Sequence, residues 1–210
     1  MFNKTINFFT HSDVKLRQTR WIFASMLIGA ILSLVAAFVL SVESIEIAKN
    51  PDAALSCNVN AVINCATVAK HPTANLLGFP NSFIGLMAEP VVITVAIAGL
   101  LGVAFPRRFM FVAQIFYTAG FIFALYLFFT SVFVIQALCP WCLLVTVSTT
   151  LVFASMLHYN IREDNLYLSR KVSRSLQKWI QKGYDKFFTA LILTAMLFMV
   201  LFKYSDGLFG

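Results

Sequence analysis

Five long apolar runs constrain this chain more than any other feature of its sequence. They cover residues 21–42, 81–105, 109–135, 141–159 and 187–202, and the last is a little short for a membrane span. About 20 apolar residues cross the roughly 30 Å hydrocarbon layer as a helix, which satisfies its own backbone polar groups. The chain is 60% hydrophobic and only 12% charged. The sequence therefore predicts an all-α integral membrane protein: a four-helix transmembrane bundle plus a fifth transmembrane helix.

The polar stretches between these runs divide the chain into four parts. We expect a cytoplasmic N-terminal segment (1–20), the four-helix bundle (21–159), a basic amphipathic cytoplasmic linker (160–186), and a fifth helix with a short outer tail (187–210). The second run is interrupted at Glu89-Pro90, where a helix ends or kinks. Four apolar residues of the linker recur at helical spacing, as in helices that lie in the membrane interface: Val172, Leu176, Trp179 and Ile180.

Basic residues fall almost entirely on one side of this topology. With a cytoplasmic N-terminus, that side carries four in 1–20, two in 106–108 and seven in 162–186, which is 13 of the 16 Lys and Arg residues. Cytoplasmic loops of membrane proteins have such an excess. Topology and lipid headgroups therefore explain the net charge of +7, and no nucleic-acid partner is expected. All four cysteines then lie on the outer face.

The sequence Cys139-Pro140-Trp141-Cys142 lies where the third apolar run gives way to the fourth. Two intervening residues put both sulfur atoms on one face of a first helical turn, within reach of a disulfide. A helix N-terminus also stabilises a thiolate, which is the nucleophile of thiol–disulfide exchange. We expect Cys142 to lie one turn deeper, toward the apolar interior, and Cys139 to stay near the water.

The other two cysteines, Cys57 and Cys65, belong to the loop 50–80, which we expect to cover the bundle mouth as a lid. They can pair with each other, and they can also approach the Cys-x-x-Cys pair, because loops move more than spans. Two dithiol pairs on an oxidising face indicate an electron relay between proteins and a lipid-soluble oxidant. The alternatives are structural disulfides, or a zinc site made by the cysteines, which is not expected against lipid.

Three motifs occur in a set order along the first four spans. They are Ser56-Cys57-x7-Cys65 in the first outer loop, Gly78-Phe79-Pro80-Asn81-Ser82-Phe83-Ile84-Gly85 entering the second span, and Cys139-Pro140-Trp141-Cys142 opening the fourth. Together they resemble the vitamin K epoxide reductase family, in its bacterial form, over residues 21–159. The resemblance implies a four-helix bundle around a quinone, with a fifth helix alongside. The other disulfide-generating membrane family, DsbB, has its two cysteine pairs in the reverse order.

The resemblance also implies a role for each cysteine. Cys142 would face the quinone, Cys139 would exchange with Cys65, and Cys57 would meet a thiol partner protein. No metal is implied.

Two further residues are candidates for binding the cofactor. By the resemblance, Asn81 would donate a hydrogen bond to a quinone carbonyl, and a lone amide at the outer end of a span needs a partner in any case. Thr146 occupies the position, four residues after the last cysteine, where vertebrate members carry Tyr. The family's Ser after the second loop cysteine is replaced by the stretch Ala69-Lys70-His71. These differences favour reduction of menaquinone or ubiquinone over vitamin K epoxide.

Glu89 lies inside the second span, where a carboxylate is a functional candidate by default. It could serve a proton path to the quinone. We favour a protonated side chain that is hydrogen-bonded to a neighbouring helix.

The residues and the resemblance predict an enzyme that makes disulfides de novo. It would oxidise a separate thioredoxin-like (DsbA-like) protein through Cys57 and Cys65, and would pass electrons through Cys139 and Cys142 to a membrane quinone. Its predicted place is the bacterial cytoplasmic membrane, with a cytoplasmic N-terminus and an extracytoplasmic active site. The alternative is a non-catalytic bundle whose disulfides only staple loops.

Overall fold

The computed structural model describes residues 13–53, 55, 57–60 and 62–209, with side chains as far as residue 205. What was expected of residues 1–12, of Ser56 and of the end of the tail falls outside this part of the chain. The described helices are α1 (Val14–Lys49), α2 (Cys65–Lys70), α3 (Ser82–Leu100), α4 (Arg107–Phe129), α5 (Pro140–Arg162), α6 (Arg170–Gln181) and α7 (Tyr184–Phe209). Among the described residues, α1, α3, α4, α5 and α7 are long and apolar enough to cross a membrane. The predicted all-α membrane fold is confirmed.

The first two membrane helices have different bounds from the apolar runs that predicted them. α1 begins at Val14, inside the segment expected to be a polar tail, because Asp13 caps it by accepting from the N–H groups of Lys15 and Leu16. α3 ends at Leu100, before the end of its apolar run, and Gly102 follows with φ +92°. Hydropathy marks the part of a helix that faces lipid, whereas capping decides where the helix begins and ends.

Pro90 lies inside α3 without interrupting it, so the predicted break at Glu89-Pro90 is wrong. Proline has no N–H to donate to the carbonyl of Leu86, but membrane helices tolerate this loss where neighbouring helices support the backbone. α1 provides that support, because it packs along α3. Packing between the two helices therefore outweighs one missing backbone hydrogen bond.

The region predicted as one linker (160–186) is shared among three helices. α5 continues to Arg162, a turn follows in which Asp164 and Tyr167 have positive φ, and α6 occupies only the middle of the region. Gly183, at φ +76°, then makes the turn into α7. The apolar face of α6 packs partly against α7, since the ring of Trp179 lies 5.5 Å from that of Phe188. The amphipathic pattern thus serves a contact between helices as well as the membrane interface.

The core of the bundle is formed where α1 crosses α3 and α5, with α4 packed on α5. Gly29 of α1 allows the close approach to α5, because a Cβ at this position would lie 2.8 Å from the Val152 side chain and 3.2 Å from the Ser148 carbonyl. Small residues commonly permit such contacts between membrane helices. Many large apolar side chains on the outer faces are exposed, as expected of a surface that lipid covers.

At one end of the bundle, α4 continues as a π-helical turn (Thr130–Ile135) that ends at Gln136 in the left-handed conformation. The chain then pairs with the loop, because Leu138 forms an isolated parallel bridge with Ile63. The amide of Leu138 donates to the carbonyl of Val62 (2.7 Å), and the carbonyl of Leu138 accepts from Asn64 (3.0 Å). These backbone bonds bring the two cysteine-containing segments to the same mouth of the bundle.

Glu89 joins three helices inside the bundle. Its side chain is buried, and Oε1 accepts a hydrogen bond from the Tyr117 hydroxyl of α4 at 3.2 Å. The Ser33 hydroxyl of α1 also interacts with this carboxyl group. This geometry is that of a carboxyl group bonded to neighbouring helices, the arrangement we favoured from the sequence.

Replacing Tyr117 with Phe should lower the stability of the bundle by about 0.6 kcal/mol, because hydrogen bonds between membrane helices average about that value. Thermal unfolding of the purified protein in detergent would measure the change. Tyr126→Phe is the matched control, since Tyr126 also belongs to α4 but is exposed toward lipid. Equal unfolding temperatures for the two variants would contradict the stabilising role of the Tyr117–Glu89 bond.

Candidate active site

Three of the four sulfur atoms lie together at the mouth of the bundle. Cys57 and Cys65 form a disulfide, and Sγ of Cys65 lies 3.2 Å from Sγ of Cys139. The three sulfur atoms all lie within 4.8 Å of one another. Thiol–disulfide exchange requires a thiolate to approach a disulfide sulfur directly. Cys139 and Cys65 are close enough for this approach.

The Cys-x-x-Cys motif begins α5 as its spacing predicts. Cys139 is the N-cap, and its Sγ accepts a hydrogen bond from the backbone N–H of Cys142 at 3.4 Å. Pro140 takes the first helical position, where its missing N–H costs nothing. Cys139 and Cys142 are both free thiols in this arrangement.

The expectation that Cys139 stays near the water is wrong. Its side chain is only 1% exposed, while Cys142 is half-buried and lines the interior cavity. Cys139 is covered because the loop folds over it, and it shares an apolar cluster with Leu55, Cys57 and Cys65. The predicted lid therefore exists as short helical pieces, and it shields the outer sulfur of the pair.

Local hydrogen bonds favour the thiolate of Cys139. The Cys142 thiol donates to its sulfur and lowers the pKa of Cys139, and the backbone N–H groups of Cys142 and Trp141 act in the same direction. Burial opposes them, because a charged sulfur loses its hydration, and the negative charge of Glu43 also raises the pKa of Cys139. The net effect is a Cys139 pKa below the ordinary value. Cys139 is thus suited to be a nucleophile and a leaving group.

A cavity of about 750 Å³ extends from the sulfur cluster into the bundle. Cys142 and Thr146 of α5 line it, together with Asn81 at the start of α3 and Glu89 deeper in the same helix. Most of the lining is apolar, and pockets of this size hold drug-sized ligands. The Oε2 atom of Glu89 is buried without a hydrogen-bond partner among the described residues. An apolar cavity with a thiol at its mouth and a polar atom deeper inside fits a quinone ring.

Asn81 has partners in the loop, so the sequence argument from a lone amide is wrong. Its Nδ2 donates to the carbonyl of Thr73 at 2.6 Å, and its Oδ1 accepts from the N–H of Leu76 at 3.3 Å. The side chain still lines the cavity and retains one N–H. Asn81 therefore anchors the lid to the start of α3, and a quinone bond to it would be additional.

Thr146 lies on the cavity wall and is 4% exposed. Its hydroxyl donates to the carbonyl of Cys142 at 2.9 Å. Because this bond uses its only proton, Thr146 can accept a hydrogen bond from a ligand but cannot donate one without rotating. In this rotamer it suits a hydroxyl group better than a quinone carbonyl.

Glu43, near the outer end of α1, lies at the sulfur cluster although no sequence motif indicates it. Its carboxyl group is 5% exposed, and both oxygens lie 3.6 Å from Sγ of Cys57. No local pattern could have shown this, because the contact forms only when the loop folds back on α1.

Replacing Asn81 with Ala should loosen the lid, because the carbonyl of Thr73 and the amide of Leu76 would lose their side-chain partner. We expect faster hydrogen exchange over residues 72–77, by about 10-fold for a loss near 1.4 kcal/mol. Asn75→Ala is the control, since Asn75 lies in the same loop and is exposed. Unchanged exchange in the Asn81 variant would contradict the anchoring role.

Comparison with known proteins agrees with this geometry. No curated protein matches the chain. The profile of the Vitamin K epoxide reductase family matches residues 24–157, which include most of α1, all of α3 and α4, most of α5 and all four cysteines. The chain therefore belongs to the vitamin K epoxide reductase family of membrane thiol oxidoreductases.

Proposed function

We propose that this protein generates disulfides de novo with a membrane quinone as the oxidant. It takes electrons from a separate thioredoxin-like (DsbA-like) protein through Cys57 and Cys65, and passes them through Cys139 and Cys142 to menaquinone or ubiquinone. The observation that carries the proposal is the 3.2 Å approach of Cys139 to the loop disulfide, beside a cavity that Cys142 lines. Structural disulfides alone would not require a third sulfur at this distance.

The first exchange oxidises the partner. A thiolate of the reduced partner attacks Cys57, the Cys57–Cys65 bond breaks, and Cys65 leaves as a thiolate. The second thiol of the partner then attacks the mixed disulfide, and Cys57 is released. The partner has lost two electrons and two protons. Cys57 is 7% exposed in this closed arrangement, so the partner must displace part of the lid to reach it. The exposed residues that follow Cys57, among them Val59 at 71%, provide a surface for this encounter.

The second exchange moves the electrons inward. The Cys65 thiolate attacks Cys139 of a Cys139–Cys142 disulfide, and Cys142 leaves as a thiolate at the cavity wall. Cys57 then attacks Cys65, the loop disulfide closes, and Cys139 leaves as a thiolate. The described arrangement, with a closed loop disulfide and two free thiols, corresponds to the product of this exchange. When bound, a quinone supplies the sink for two electrons and two protons as Cys139 and Cys142 pair again.

The proposed location is the bacterial cytoplasmic membrane, with the N-terminus inside and the sulfur cluster on the outer face. Three basic segments meet at the end of the bundle opposite the cysteines: Lys15 pairs with Glu163 at 3.1 Å, and Arg107 pairs with Asp164 at 3.6 Å. A concentration of basic residues at one end is typical of the cytoplasmic side. This orientation exposes the relay to an oxidising compartment.

Replacing Cys142 with Ala should abolish quinone reduction, by about 10³-fold or more, because the variant lacks the thiol that lines the cavity. The assay is quinone absorbance with purified protein and a reduced thioredoxin-like donor. Full activity in the variant would refute the role assigned to Cys142. A protein whose disulfides are only structural would show no donor-dependent quinone reduction even in the parent.

Replacing Cys65 with Ser should trap a disulfide between Cys57 and a donor protein whose second cysteine is replaced and whose remaining cysteine is supplied as a mixed disulfide with a small aromatic thiol. The Cys57 thiolate attacks the donor sulfur, the small thiol leaves, and no Cys65 is present to break the new bond. Non-reducing electrophoresis and mass spectrometry would identify the linked peptides. Cys57→Ser provides the comparison, and we expect no donor adduct at Cys65 in that variant. Trapping in the Cys57 variant instead would reverse the order of the two loop cysteines.

A further inference from the structure

A carboxylic acid is buried against the loop disulfide, and the relay described above does not use it. Glu43 belongs to the outer end of α1 and is 5% exposed, and its two oxygens lie 3.6 Å from Sγ of Cys57. This distance is within the range of hydrogen bonds to sulfur. When Cys57 is a thiol, its S–H can therefore be donated to Glu43.

Cys57 lies in an apolar and nearly closed environment. Cys57 is 7% exposed and is packed in a cluster with Leu55, Cys65 and Cys139, against which Leu40 and Ile47 also pack. Bulk water has little access to this sulfur, yet Cys57 must lose a proton before it can act as a nucleophile. Within the described residues, Glu43 is the carboxyl group in contact with it.

We propose that Glu43 is a catalytic residue that removes the proton from Cys57 in the step that closes the loop disulfide. This inference rests on the proposed disulfide relay and adds to it a proton acceptor. General bases in contact with a reacting group typically accelerate proton transfer by about 10²–10⁴-fold.

Cys57 gives its proton to the Glu43 carboxylate, and its thiolate attacks Cys65 of the Cys65–Cys139 disulfide. A Cys57–Cys65 bond forms, the Cys65–Cys139 bond breaks, and Cys139 leaves with the electron pair as a thiolate. No external oxidant is needed, because one disulfide replaces another. Glu43 is then a neutral acid, and it returns the proton when the next donor releases Cys57.

The attacking sulfur of Cys57 and the leaving sulfur of Cys139 have neighbours with opposite functions. At the attacking end, a carboxylate beside Cys57 accepts a proton. At the leaving end, the backbone N–H of Cys142 donates to the Cys139 sulfur at 3.4 Å and stabilises the thiolate as it forms.

The test is Glu43→Gln, which keeps the shape of the side chain but removes the proton acceptor. We expect donor oxidation to slow by about 10²-fold and the Cys65–Cys139 disulfide to accumulate during turnover. Quenching with a thiol-alkylating reagent and mass spectrometry would show Cys57 alkylated and Cys65 joined to Cys139. Glu46→Gln is the matched control, because Glu46 lies one turn further along α1 and is exposed.

Glu43→Asp separates a chemical role from a structural one. Aspartate retains a carboxylate, but its shorter side chain places that carboxylate slightly further from the Cys57 sulfur. We therefore expect intermediate rates and less accumulated Cys65–Cys139 disulfide than in Glu43→Gln. Turnover of Glu43→Gln equal to that of Glu46→Gln, in a protein whose parent oxidises the donor, would overturn the role of Glu43 alone. A parent that neither oxidises the donor nor forms the Cys65–Cys139 disulfide would overturn the relay itself.

Discussion

The arrangement of this protein depends on the backbone contact between the loop and the segment before α5. Leu138 pairs with Ile63 as a short parallel bridge, and the cysteine that follows each of these segments is thereby brought to the other. Cys65 and Cys139 are 74 residues apart in sequence, yet their sulfur atoms lie 3.2 Å apart. A side-chain contact alone would not hold the two segments in this register, because only the backbone bonds set both position and direction.

Beneath this contact, the bundle holds the four cysteines at successive positions between the lid and the cavity. Cys57 and Cys65 lie in the lid, Cys139 lies beneath it, and Cys142 faces the cavity. Cys57, Cys65 and Cys139 are nearly buried among apolar side chains and Cys142 lines an apolar cavity, so charged intermediates must be stabilised locally. The cap of α5 does so for Cys139, and Glu43 provides a proton acceptor for Cys57. A few specific contacts therefore stabilise the thiolates and accept the protons of the exchange within an apolar environment.

Several predictions from the sequence were correct because they rested on local physics. Membrane helices follow from apolar length, and the start of α5 follows from proline at the first helical position. The errors concern properties that depend on neighbours. Pro90 does not break α3. The lid covers Cys139, so this cysteine is not exposed to water, and the Asn81 amide already donates a hydrogen bond to the lid. In each case another segment of the chain supplied a partner that the local sequence does not reveal.

The sequence by itself determined the number of membrane helices, the helical start of the Cys-x-x-Cys pair and the residue types available for redox chemistry. These depend on hydropathy, on spacing and on the chemistry of sulfur, which are properties of short stretches. Only the tertiary structure decided which sulfur atoms meet, which one the lid covers, and that Glu43 lies against Cys57. Such contacts join residues distant in sequence, and their geometry exists only after the helices pack and the loop closes over them.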